Sequence, residues 1–180
     1  DLRWKTAAGA ALYSSPVYAE GRVFCVTNGG EMLALDAATG RIAWRQDAAE
    51  YAMETGPALG GGLVFAGAWD RYLYATEAQD GALRWRKLSK GSDRPAAAQY
   101  YSPADCAPAY VAPNLFASDR AHCLTILDAA TGKQLLAETQ CSAVSASPDT
   151  PPGDSHSADG VAARRRDIAG ALLKNKLGPS

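Results

Sequence analysis

Pro16, Asp36, Gly40 and Trp44 recur 41 residues later as Pro57, Glu77, Gly81 and Trp85, and again 92 residues after the first set as Pro108, Asp128, Gly132 and Leu136. A period of this size means that one supersecondary unit is copied along the chain, each copy burying its apolar surface on its neighbours. The best-matched stretches are LALDAATGRIAW (33–44), YATEAQDGALRW (74–85) and ILDAATGKQLL (126–136). The second and third copies are 51 residues apart, so ten residues are inserted between them, in the 87–102 stretch, which reads as a loop.

Each copy holds four short apolar runs, in the first at about 14–18, 22–27, 31–35 and 41–45. Phe24, Val26, Val64, Tyr72 and Tyr74 are residues that pack well on a pleated surface. Asn28-Gly29-Gly30 and Trp69-Asp70-Arg71 stand where a tight turn joins two strands. Ala37-Ala38-Thr39-Gly40 supplies the next turn: Asp36 can bond backbone two residues on, and Gly40 takes positive φ without steric cost. No window before the tail keeps a 3.6-residue period, which excludes a solenoid of helix pairs. Four strands per copy describe the blade of a β-propeller.

The expected fold is therefore all-β: a partial β-propeller of four-stranded antiparallel blades, about three full ones at 13–45, 54–87 and 104–138. Trp4 precedes Trp44 by 40 residues, so residues 2–5 read as the last strand of a preceding blade, and 142–148 as the start of another. The repeats fill 1–148, leaving a tail at 149–180. In the tail, 149–158 has no apolar run, and 161–178 suits a short helix with Ile168, Leu172 and Leu173 on one side and Gly178-Pro179 as its stop. The tail is either a cap or interaction helix, or a shift of reading frame after about residue 148. Three blades and a fraction do not close a ring of about 4–8 blades, so the expectation is a fragment of a longer chain, or self-association in which two copies supply about eight blades.

The pattern Ala-x-Asp-x-x-x-Gly-x-x-x-Trp, complete at Ala34, Asp36, Gly40 and Trp44, resembles the tryptophan-docking motif of quinoprotein (PQQ-like) propeller repeats. Ala75, Gly81 and Trp85 match it with Glu77 for Asp; the third copy departs with Ile126 for Ala and Leu136 for Trp. The resemblance implies that each Trp stacks between adjacent blades, over the turn that holds the Gly. YYSPADCAPAY (100–110) and ASDRAHCLTILDAATGK (117–133) are most similar to the PQQ-like domain that follows a metallophosphoesterase domain in some bacterial proteins. They are less similar to the outer-membrane assembly lipoprotein or the alcohol dehydrogenases.

Eighteen Lys and Arg against 19 Asp and Glu leave a net charge of −1, with no electrostatic footprint for nucleic acid. No apolar run approaches the ~20 residues of a membrane-spanning helix, and DLRWKTAAGA lacks the layout of a secretory leader. The tail is basic through Arg164, Arg165, Arg166, Lys174 and Lys176, which reads as a solvated segment or, less economically, a patch for an acidic partner. Cys25, Cys106, Cys123 and Cys141 include no CxxC spacing. Cys25 reads as a buried thiol; Cys106 and Cys141 are either a pair or two separate thiols.

His122 and Cys123 are strand neighbours whose side chains diverge, which argues against a zinc site with Cys106 or His156. Asp36, Glu77 and Asp128 fit turn formation better than acid–base work, because two carboxylates must converge on one substrate. Gly60-Gly61-Gly62 has no following Lys-Ser/Thr and is a turn, not a phosphate loop. Trp69 is a loop aromatic, either a stacking platform or simply exposed. Quinoprotein dehydrogenases hold the quinone at the centre of a complete ring, often beside a disulfide of adjacent cysteines, and this chain has no Cys-Cys pair. The expectation is thus no catalytic, cofactor-binding or metal-binding residue and no cofactor. It is a scaffold or binding segment for a protein partner or a neighbouring catalytic domain, without nucleic acid or a membrane span. A periplasmic or secreted setting follows from the resemblance alone. The alternatives are a fragment of a PQQ-dependent oxidoreductase and an envelope protein–protein adaptor.

Overall fold

The computed structural model describes residues 1–89, 103–104, 106–118 and 124–135, all within one compact unit, Asp1–Glu138. It is built from strands alone. Blade 1 is β1 (Val17–Ala19), β2 (Arg22–Val26), β3 (Glu31–Asp36) and β4 (Ile42–Asp47). Blade 2 is β5 (Ala58–Gly60), β6 (Leu63–Gly67), β7 (Tyr72–Glu77) and β8 (Leu83–Leu88). Blade 3 contributes β9 (Ala109–Val111), β10 (Asn114–Ser118) and β11 (Leu124–Asp128). Each sheet is an antiparallel meander in chain order. The first two carry a register shift at the same repeat position, Ala34/Leu35 and Ala75/Thr76. The partial propeller of four-stranded blades is present as expected. The third sheet has three strands among the described residues; Gln134 adds one bridge to Leu127. Residues 2–5 form no ladder there, and 142–148, the 149–180 tail, Leu136, His122, Cys123, Cys141 and His156 lie outside the described residues.

The middle strands read VFCV and LVFAG, continuously apolar where an antiparallel sheet with one wet face would alternate. Both faces of a blade are covered. Phe24, Val26, Met32, Ala34 and Trp44 pack against Val64, Ala66 and Tyr74 of blade 2. The opposite face of blade 2, Leu63, Phe65, Leu73 and Ala75, packs on Leu115, Ala117 and Leu127 of blade 3. The opposite face of blade 1, Cys25, Leu33 and Leu35, is covered by Trp4 and Ala8. Burying one such Phe or Leu fully contributes about 1.5–3 kcal/mol, so the interfaces between blades supply most of the stability. The fourth strands are wet: of Ile42–Asp47 only Trp44 is buried.

The shortest strands, β1, β5 and β9, lie side by side at the inner edge. There Tyr110 lies against Gly60, where a Cβ would collide with its ring, and stacks on Phe65 with ring centroids 6.0 Å apart. Its repeat counterpart in blade 1, Tyr18, is 67% exposed, and among the described residues β1 has an inner-strand neighbour on one side, β5.

Candidate functional site

Three indoles dock on three turns by one geometry. Trp4 Nε1 donates to the Ala37 carbonyl at 2.9 Å, Trp44 Nε1 to Ala78 at 3.0 Å and Trp85 Nε1 to Ala129 at 2.9 Å. Each ring covers the glycine of that turn, Gly40, Gly81 and Gly132 in order. Each of these three tryptophans thus docks on the unit that follows it. Trp4 docks as the closing residue of an earlier unit would, although among the described residues its neighbours pair with no strand. The third unit, despite Ile126, keeps a complete receiving turn.

The acidic repeat residues are consumed locally. Asp36 Oδ1 accepts from the backbone N–H of Ala38 at 3.1 Å and of Thr39 at 2.8 Å, and from the Thr39 hydroxyl at 2.7 Å. Asp128 Oδ1 repeats this with the Thr131 N–H at 2.9 Å and hydroxyl at 2.6 Å. Glu77, one carbon longer, instead pairs loosely with Arg84 at 3.5 Å, while Asp80 accepts from the Ala82 N–H within the turn. The threonine hydroxyls, helped by the adjacent N–H groups, hold the Asp36 and Asp128 carboxyls below their ordinary range. What these turns contribute is therefore complete above about pH 4 and is lost as pH falls through the lowered pKa values. Replacing both by Asn keeps the acceptor oxygen and removes the titration. The double variant should lose less stability than the wild type between about pH 4 and pH 2. Thermal melts across that range check it, and identical acid limbs would remove these two residues from the account.

At the other end of the blades, the Thr27 hydroxyl, fully buried, accepts from the N–H of Gly29 and Glu31 at 3.2 Å each. In blade 2 the counterpart of Thr27 is Ala68, and the accepting role passes to Asp70. It accepts from the Tyr74 hydroxyl at 2.6 Å and from the N–H groups of Tyr72 at 3.1 Å and Glu50 at 3.2 Å. Burial, and then the Asp70 carboxylate, push the Tyr74 hydroxyl far above its ordinary pKa, so it remains a donor. Arg71 takes φ 78° to close this turn, and Trp69 within it is half-buried, its backbone N–H donating to the Ala52 carbonyl at 3.0 Å. The turn is tied to the segment joining the two blades.

Among the described residues no three His, Cys, Asp or Glu side chains gather where a metal ion could be held. Asp36, Glu77 and Asp128 sit on separate sheets. Cys25 is a buried thiol whose pKa is raised by that burial. Cys106 is half-buried, with its N–H on the Pro103 carbonyl at 3.3 Å. No described helix is long and apolar enough to cross a membrane.

One residue that repeat reasoning passed over is Arg22. Its guanidinium reaches from β2 to the turn that receives Trp44, donating to the carbonyls of Ala78 at 2.9 Å and Gln79 at 2.6 Å. The signal was a break in the repeat: the counterparts of Arg22 are Leu63 and Asn114.

A search of curated proteins finds no match. Among solved structures, BamB from Moraxella catarrhalis is similar with a TM-score of 0.61 at 17% identity, over 74% of this chain and 38% of that one. The quinohemoprotein alcohol dehydrogenase ADHIIG from Pseudomonas putida HK5 is similar with a TM-score of 0.59 at 23% identity, over 73% of this chain and 21% of the other. The computationally designed Ika4 protein matches with a TM-score of 0.59 at 16% identity, over 74% of this chain and 75% of its own. These likenesses show the fold, and the chain spans well under half of the two natural relatives. A family model described as outer membrane protein assembly factor BamB matches residues 1–155, and with three tryptophans docked on successive turns the chain belongs to that PQQ-repeat family.

Proposed function

We propose that this chain is a non-catalytic propeller segment of a larger bacterial protein, an accessory domain that holds a protein partner or a neighbouring catalytic domain of the metallophosphoesterase type. The observation that carries this reading is where the recurring polar groups are spent. Asp36, Asp128 and the indole N–H groups of Trp4, Trp44 and Trp85 all satisfy turns within the fold, and the two carboxylates sit on separate sheets where acid–base work needs a convergent pair. Binding then falls to the loops between blades. Self-association through open blade faces is the same function with a second copy as partner. The description of the family favours a second reading, an envelope protein–protein adaptor. An envelope-targeting leader in the parent gene would favour that reading.

Two measurements on the purified chain test the proposal. Titration with PQQ and calcium should give no saturable change in quinone absorbance. Calorimetry with the metallophosphoesterase domain of the parent protein should show binding in trans. A saturable quinone signal lost on unfolding would instead favour a PQQ-dependent oxidoreductase.

A further inference from the structure

At the interface between blades 2 and 3 lies a half-open cavity of about 250 Å³, lined among others by Leu73, Lys87, Ser89, Ala117, Thr125 and Leu127. The repeat shows why it exists. The same place between blades 1 and 2 is occupied by Met32, Gln46, Ala48, Ala66, Tyr74 and Thr76. There Tyr74 and Met32 fill the space, 1% and 0% exposed, and the Thr76 hydroxyl reaches the Met32 sulfur at 3.3 Å. The backbone register is the same in both places: Ala66 pairs with Tyr74 as Ala117 does with Thr125, and Met32 pairs with Gln46 as Leu73 does with Lys87. The pairing within each sheet is thus unchanged, and the difference lies in the side chains. A tyrosine ring has been exchanged for a threonine, and a neutral amide for an ammonium.

The exchange changes the chemistry as well as the volume. Leu73, Ala117 and Leu127 belong to the apolar cluster between the blades, and they form one wall. Lys87 is the one ionisable side chain among the described lining residues, and the Thr125 hydroxyl adds a donor group. An apolar wall with a few placed polar groups is how small-molecule sites are built. A space of this size accepts one ring or one branched chain, well short of a nucleotide. A single cation with a hydroxyl donor suits a monoanion, through charge-assisted hydrogen bonds. We infer that this gap is a binding pocket for a small carboxylate with an apolar body, its carboxylate toward Lys87 and Thr125 and its body against Leu73, Ala117 and Leu127. The inference rests on the cavity and stands apart from the reading of partners above.

Benzoate and its neutral isostere benzamide test it, followed by backbone amide NMR on the full chain. Benzoate should shift the amides of Leu73, Ala117, Thr125 and Leu127 saturably, and benzamide should bind at least about tenfold more weakly. Two variants restore what the preceding interface carries. Lys87→Gln, matching Gln46, should lower benzoate affinity to that of benzamide. Thr125→Phe, placing a ring where Tyr74 has one, should abolish the shifts and leave the melting temperature equal or higher. If Thr125→Phe fails to fold, Lys87→Gln still decides. Absence of a saturable shift with benzoate, equal affinity for the two probes, or unchanged binding by either folded variant would overturn the proposal.

Discussion

Trp44→Ala is expected to cost about 3–5 kcal/mol, with a fall in Tm on the order of 10 °C. Trp44 is 8% exposed, lies between the sheets of blades 1 and 2, and has the Phe24 ring 6.0 Å away. Truncation leaves a cavity whose walls are two hydrogen-bonded sheets, and such walls collapse poorly. The lost indole N–H adds little, because the Ala78 carbonyl still accepts from Arg22 at 2.9 Å. The loss is therefore one of packing, and Trp44→Phe should recover a large part of it by refilling volume without the donor. Trp4→Ala provides the contrast. Trp4 is only half-buried where it covers Cys25, Leu33 and Leu35 together with Ala8, so its removal should cost distinctly less. Thermal or urea melts of the three variants decide. A Trp44→Ala variant as stable as the wild type would mean that docking does not hold blades 1 and 2 together.

The repeat made the blades legible because its marks are local. Asp36 and Gly40 act within a turn of a few residues, and the β2 and β3 runs pair across a short hairpin, so spacing alone located them. The direction of docking was less accessible. That Trp44 covers Gly81 and not Gly40 depends on how one sheet lies on the next, which no single unit contains. The same holds for Tyr110 over Gly60 and for Arg22 on the Ala78 and Gln79 carbonyls: each reaches into another unit, and Arg22 interrupts the repeat where it does so. Residues 2–5 show the converse. The Trp4-to-Trp44 spacing marks a strand, and what the described residues show of it is the docked indole, with no ladder among them. The absence of an expected catalytic residue in the sequence reading rested on one-dimensional motifs. The cavity beside Thr125 carries no motif and emerges only when two interfaces are compared position by position. Where the repeat is broken by a smaller or a charged residue, as at Thr125 and Lys87, the chain departs from what the fold alone requires.

Gly81→Ala should be nearly as damaging as loss of the tryptophan, at about 2–5 kcal/mol, although it adds a single methyl group. Two effects combine. Gly81 has φ 78°, where an L side chain costs about 1–2 kcal/mol. A Cβ there would also stand 2.6 Å from Trp44 Cε3 and 2.8 Å from Cδ2. The ring has no room to yield, since its N–H is bonded to Ala78 and its other side meets the blade 1 sheet, so overpacking adds about 1–3 kcal/mol. Gly62 separates the two effects: its φ is 79°, and nothing lies within 4 Å of the place a Cβ would take. Gly62→Ala should therefore show the backbone cost alone. In the Trp44→Ala background the obstruction is gone, and Gly81→Ala should fall to the cost seen at Gly62. The double-mutant cycle then yields a coupling of about 1–3 kcal/mol between Trp44 and Gly81. Equal costs at Gly62 and Gly81 in the wild-type background, with no coupling to Trp44, would show that the glycine serves its turn and not the ring. In that case the Gly-to-Trp spacing, 40 to 44 in one copy and 81 to 85 in the next, would record turn geometry alone.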